Sequence, residues 1–155
     1  MDKTRLGIIV AEFNSRITME MLEVAKAHAE LRNAAIRYIC FVPGTFDMPL
    51  LIEELIKKKD VDAIVTLGCV IKGETGHDRI VANTAARFIA ELSVKHHKPV
   101  SLGISGPDMT VQQASNRIAT VARRAVDAAV NMVDRLRKLR DLEEDYKKMG
   151  VIVID

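Results

Sequence analysis

Short apolar runs alternate along the chain with longer segments in which apolar residues recur every three or four positions. Leu6 to Val10, Ile36 to Val42, Ala63 to Val70 and Val100 to Ile104 are short, rich in Val and Ile and nearly free of charge, as strands buried on both faces should be. Ile17, Met21, Val24 and Ala25 mark a first helix. Met48, Leu51, Ile52, Leu55 and Ile56 form one helical stripe, with Glu53, Glu54, Lys57 and Lys58 facing away from it. Val81, Ala85, Phe88, Ile89 and Leu92 mark a third helix, which runs into Lys95-His96-His97-Lys98, where cations suit a helix carboxyl end, and then Pro99. From Thr110 onward, Ile118, Val121, Ala122, Ala125, Ala129, Met132, Val133 and Leu136 predict one long helix. Strand and helix in alternation predict β-α-β units, hence a doubly wound three-layer α/β/α sandwich around a four-stranded parallel sheet.

No repeat or linker divides the chain, so residues 1–155 read as one domain, with 139–155 as a charged helical end and a small apolar tail. The 155 residues are 48% hydrophobic and 28% charged, enough for a real core. A net charge of +2, with the two signs mixed, argues against a nucleic-acid arm or a membrane-surface helix. No apolar run approaches the ~18 to 20 residues of a membrane span, and Met1 to Arg5 lead straight into a strand without a signal-peptide core. The expectation is a cytoplasmic protein with neither membrane nor nucleic-acid partner. Cys40 and Cys69 read as buried free thiols, and no His or Cys pair has the spacing of metal ligands.

In doubly wound sheets, ligands bind beyond the carboxyl ends of the strands. Only 4% of residues are aromatic, so a ring in a polar loop is informative. Phe13 stands beside Asn14 and Ser15 after the first strand, although a core Phe followed by a Ser helix cap fits the same residues. Val42-Pro43-Gly44-Thr45-Phe46-Asp47-Met48-Pro49 supplies a second ring, a hydroxyl and a carboxylate. Asp47 reads equally as a helix cap and as a polyol ligand. Gly73, Thr75 and Gly76 let backbone N–H groups converge on an anion at a helix start, without Walker-loop spacing. His77 adds a proton-transfer group in the first turn, where a solvated surface histidine would also fit. His28, His96 and His97 have weaker claims. Arg117 and Arg124, seven apart on one helical face, are either solvated charges or phosphate ligands.

Ala11-Glu12-Phe13-Asn14, Val42 to Pro49, Leu67 to Asp78 and Leu102-Gly103-Ile104, in this order and spacing from about Leu6 to Leu136, closely resemble the motifs of the 6,7-dimethyl-8-ribityllumazine synthase family, most of all its archaeal branch. The resemblance implies a flavodoxin-like fold and a transferase of riboflavin biosynthesis. Its members join 5-amino-6-(D-ribitylamino)uracil to 3,4-dihydroxy-2-butanone 4-phosphate, releasing phosphate and water, without cofactor or metal. It implies that Phe13 stacks on the pyrimidine and that Thr45, Phe46 and Asp47 bind the ribityl chain and ring edge. Cys69, Val70 and Ile71 would contact the pyrimidine largely through backbone, Glu74 and Thr75 would cradle the phosphate, and His77 would move protons. Leu102 and Arg117 would serve a neighbouring subunit's site in a homopentamer, free or assembled further. Asp47 stands where many relatives carry Glu, and Leu102 where many carry an aromatic ring. Two alternatives accompany this reading: an archaeal-type riboflavin synthase, whose relatives lack the Gly-x-Thr-x-His segment, and a flavodoxin-like module that binds flavin or lumazine without turnover.

Overall fold

A computed structural model describes residues 3–142 and 150–155. The elements follow in the order β1 (Arg5–Ala11), α1 (Ser15–Leu31), β2 (Ala35–Val42), a 3-10 turn (Thr45–Asp47), α2 (Met48–Leu55), β3 (Ala63–Cys69), α3 (His77–His96), β4 (Val100–Ser101), β5 (Ile104–Ser105) and α4 (Val111–Arg140). All strand pairs are parallel, in the order β2-β1-β3-β4, and β5 also pairs with β3. This is the expected α/β sandwich of flavodoxin-like type.

Strand alternation divides the core into two layers. Leu6, Ile8, Val10, Val65 and Leu67 pack under α1 and α4, while Ile9, Val42 and Ile64 pack with α2 and the end of α3. Every residue of β3 is buried, which accounts for its run of seven residues without a charge. Met48, Ile52 and Leu55 bury the expected face of α2, each contributing roughly 1.5–3 kcal/mol relative to exposure. Thr110 caps α4: its Oγ1 accepts the Gln113 N–H at 3.2 Å, and Gln113 Oε1 accepts the Thr110 N–H at 2.9 Å.

The sheet differs from expectation at its edge. The predicted fourth strand is two short strands, so the sheet has five strands. Register is kept, with Val65 opposite Ser101 and Gly68 opposite Ile104, but the ladder lapses at Leu102 and Gly103. There the Thr66 hydroxyl donates to the Ser101 carbonyl at 2.7 Å and accepts the Gly103 N–H at 3.2 Å, replacing ladder bonds. The chain passes so close that a Cβ on Gly103 would lie 2.0 Å from the Thr66 carbonyl oxygen.

Three other expectations shift in detail. Val81 and Phe88 flank the buried face of α3 instead of forming it; that face is Asp78, Ala82, Ala85, Ile89 and Leu92. Cys40 is half-buried, whereas Cys69 is buried. The charged end is helical to Arg140, residues 143–149 of it lie outside the described residues, and Val151–Val153 are exposed. Among the described residues, no helix is long and apolar enough to cross a membrane.

Candidate active site

Beyond the carboxyl ends of β1, β2 and β3 lies a cleft of about 450 Å3. Its position follows from the strand order: β1 connects outward to β2, the chain then crosses to β3 on the other side, and a crevice opens where the order reverses. The Asn14 side-chain amide donates to the Cys69 carbonyl at 2.9 Å across this crevice.

The β1 and β2 loops run side by side. Glu12 N–H donates to the Val42 carbonyl at 2.8 Å and Phe13 N–H to the Pro43 carbonyl at 2.9 Å, extending the ladder past the strands. The Phe13 ring rests on Gly44, where a Cβ would meet its Cδ2 at 2.8 Å. Phe13 is 66% exposed, so it is not a core residue, and Asn14, at φ 60°, precedes α1 without a side-chain cap. Thr45 is buried against Gly68. Phe46 lines the cleft from the 3-10 turn. Asp47 precedes α2 without capping it; its Oδ2 instead accepts the Gly44 N–H at 2.9 Å, closing the 3-10 turn. The carboxylate remains exposed in the cleft wall.

Cys69, Val70 and Ile71 form the floor at the end of β3. Burial pushes the Cys69 thiol up to about 11, so it is protonated and unreactive at neutral pH. Gly73, Thr75 and His77 line the wall beyond, and the Glu74 side chain does not. His77 is the first residue of α3 and exposed, with its own N–H near Thr75 Oγ1 at 3.4 Å. The other histidines have structural partners or places: His28 Nε2 lies 2.9 Å from Asp127, His96 Nε2 lies 2.6 Å from Glu53, and His97 ends α3.

Leu102 and Arg117 do not line this chain's cleft. Both are exposed, Leu102 at the break between β4 and β5 and Arg117 in the second turn of α4. Arg124 is likewise exposed and outside the cleft. Asn14, Gly44, Asp78 and Val81 line it without having been singled out as ligands; a polar residue in the loop that follows a strand was the available signal for Asn14. Among the described residues, no three His, Cys, Asp or Glu side chains converge to hold a metal ion. A second groove of about 330 Å3, between the end of α3 and α4, is walled mainly by apolar residues such as Val94, Met132 and Leu136 and lies away from these loops.

The model of the 6,7-dimethyl-8-ribityllumazine synthase family matches residues 3–137, which include every loop of the cleft. The chain belongs to this family. Proteins described as 6,7-dimethyl-8-ribityllumazine synthase from Methanocaldococcus jannaschii and Saccharolobus solfataricus are each 54% identical to it. The first aligns over 136 residues, 88% of this chain and 96% of the relative, and the second over 140 residues, 90% and 91%. One from Metallosphaera sedula is 50% identical over 137 residues, 88% of this chain and 91% of the relative. These lumazine synthases leave the alternatives of a riboflavin synthase or a non-catalytic flavin module without support. The family match stops at residue 137, ahead of the apolar tail.

Proposed function

We propose that the protein is a 6,7-dimethyl-8-ribityllumazine synthase, joining 5-amino-6-(D-ribitylamino)uracil to 3,4-dihydroxy-2-butanone 4-phosphate with release of phosphate and water. The observation that carries this reading is the convergence of Phe13, Phe46, Asp47, Thr75 and His77, from three separate loops, on one cleft inside the matched segment.

Each chemical step has a group suited to it. Phe13 offers a ring face to the pyrimidine, while Thr45, Phe46 and Asp47 meet the ribityl chain and ring edge. Backbone of Cys69, Val70 and Ile71 meets the pyrimidine edge. Backbone N–H groups around Glu74, with Thr75, hold the phosphate at the start of α3. Imine formation, phosphate loss and ring closure all move protons, and His77 transfers them. Holding two substrates together in one geometry supplies much of the remaining acceleration. The mechanism calls on no cofactor or metal.

A neighbouring copy completes the site with Leu102 and Arg117, the latter pairing with the phosphate. All four phenylalanines are at least 44% exposed: Phe13 at 66%, Phe41 at 50%, Phe46 at 57% and Phe88 at 44%. Phe13 and Phe46 belong to the cleft; Phe41, with Ile39, lies on the edge strand β2, and Phe88 on α3. Apolar surface of this kind supports a homo-oligomer, which we take to be a pentamer built from single-domain subunits.

The test is to mix purified protein with both substrates and follow lumazine fluorescence and phosphate release against an enzyme-free control. Catalysed formation of the two products in equal amounts is expected. A rate equal to the control, from protein confirmed as an oligomer, would contradict the assignment.

A further inference from the structure

Asp78 is the only buried Asp or Glu among the described residues, 5% exposed, and it lies in the cleft wall directly after His77. A buried charge is costly unless its lone pairs are met, so its partners define its role. Its Oδ2 accepts the Asp108 N–H at 2.9 Å, and backbone N–H groups at the start of α3 also approach the carboxylate. The Asp108 N–H, foremost, holds the Asp78 carboxyl below the usual carboxylate range. At neutral pH it is therefore a fixed acceptor and not a proton donor.

Asp108 is gripped a second time by the next residue of α3. Arg79 Nε lies 3.1 Å from both Asp108 carboxylate oxygens, and its terminal nitrogen lies 3.0 Å from one of them. That ion pair is exposed and contributes little; the part-buried, charge-assisted bond of Asp78 is the stronger tether. The 105–109 turn it grips has Gly106 and Asp108 in left-handed conformations. Val70 N–H donates to the Ser105 carbonyl at 2.8 Å and Lys72 N–H to the Met109 carbonyl at 2.9 Å, so the two segments are stitched along their length. Gly76 provides no side-chain cap for α3, and the His77 side chain has no hydrogen-bond partner among the described residues. The place of the imidazole is thus set by the backbone of the first helical turn, and that turn is held by Asp78.

We propose that Asp78 is a positioning residue for His77: by holding the Asp108 N–H, its carboxylate fixes the first turn of α3 against the 105–109 turn and sets where the imidazole stands in the cleft. This rests on the reading of His77 as the proton-transfer residue.

The experiment is steady-state kinetics of the full-length protein carrying Asp78→Ala, Asp78→Asn, His77→Ala or the pair His77→Ala/Asp78→Ala, with oligomer size and Tm recorded for each. Misplacement of the imidazole should lower kcat of Asp78→Ala about 10- to 100-fold while KM for the phosphorylated substrate stays within about threefold. Asp78→Asn keeps an acceptor oxygen and should recover most of the loss. In the His77→Ala background, Asp78→Ala should cost no more than about twofold further, because residues acting as a unit are not additive. An undiminished Asp78→Ala effect in that background, or a loss confined to KM, overturns the proposal. Wild-type kcat in His77→Ala alone overturns instead the role given to His77. Should Asp78→Ala not assemble, Asp78→Glu replaces it: the extra methylene displaces the acceptor and should lower kcat, and a wild-type kcat there overturns the proposal.

Discussion

The Asn14 amide and the Cys69 carbonyl, 2.9 Å apart, tie the loop after β1 to the end of β3 across the crevice that becomes the cleft. Asn14 also takes a left-handed backbone conformation, φ 60°, which Asn tolerates better than most residues. Asn14→Ala removes the bond and strains the backbone together, and should destabilise by about 2–3 kcal/mol. Asn14→Gly removes only the bond and should cost about 1 kcal/mol. Urea unfolding at equal subunit concentration separates the two; identical losses would mean that the backbone conformation contributes nothing.

Asp47 is engaged through one oxygen with Gly44 N–H and leaves its carboxylate exposed in the cleft wall. Asp47→Ala should raise KM for the ribitylated pyrimidine about tenfold, the equivalent of about 1.4 kcal/mol, with kcat changed far less. Asp47→Asn retains the turn bond and should fall between the two. Initial rates at varied pyrimidine concentration decide this.

Glu53 of α2 accepts from Lys95 and lies against His96, both at the end of α3, and these contacts bring its carboxyl down to about 2 from the ordinary value of 4.5. A folded-state value below the unfolded one stabilises above pH 4.5, and the benefit is lost as pH falls from 4.5 toward 2. Glu53→Gln should therefore lower Tm at pH 6, and the difference from wild type should shrink as the pH drops through that window. Parallel thermal melts from pH 6 to pH 2.5 test this; a constant difference would show that the ion cluster is not its source.

At Gly103 a Cβ would lie 2.0 Å from the Thr66 carbonyl oxygen and 2.9 Å from the Ala125 Cβ, neither of which can swing away. Gly103→Ala should destabilise by more than about 2 kcal/mol, as overpacking of a close backbone approach does. A Tm unchanged from wild type would mean that the β4–β5 edge is free to shift outward.

The main strands and helices were legible because their burial leaves a mark in the residues themselves: β3 runs seven residues without a charge because both its faces are covered. The break at Leu102 and Gly103 was not, because it depends on the Thr66 hydroxyl from a different strand. Phe13 and Phe46 were visible as cleft residues since rings are scarce and these two sit in polar loops. Asp78 was hidden: an Asp in a first helical turn looks like a favourable charge at the helix end. Its burial and its bond come from a turn thirty residues onward. Leu102 and Arg117 lie away from their own chain's cleft, and no pattern within one chain says what such exposed positions meet.

A site shared between copies can be tested by coexpressing His77→Ala and Arg117→Ala chains, each inactive or nearly so alone, and assaying the purified mixed oligomers for lumazine formation. If His77 of one copy works with Arg117 of its neighbour, random mixing restores roughly a quarter of the interfaces to full composition in a closed ring. Activity near a quarter of wild type, well above either parent, is the expected result. Mixed oligomers no more active than the better parent would contradict a cleft completed by a neighbouring copy.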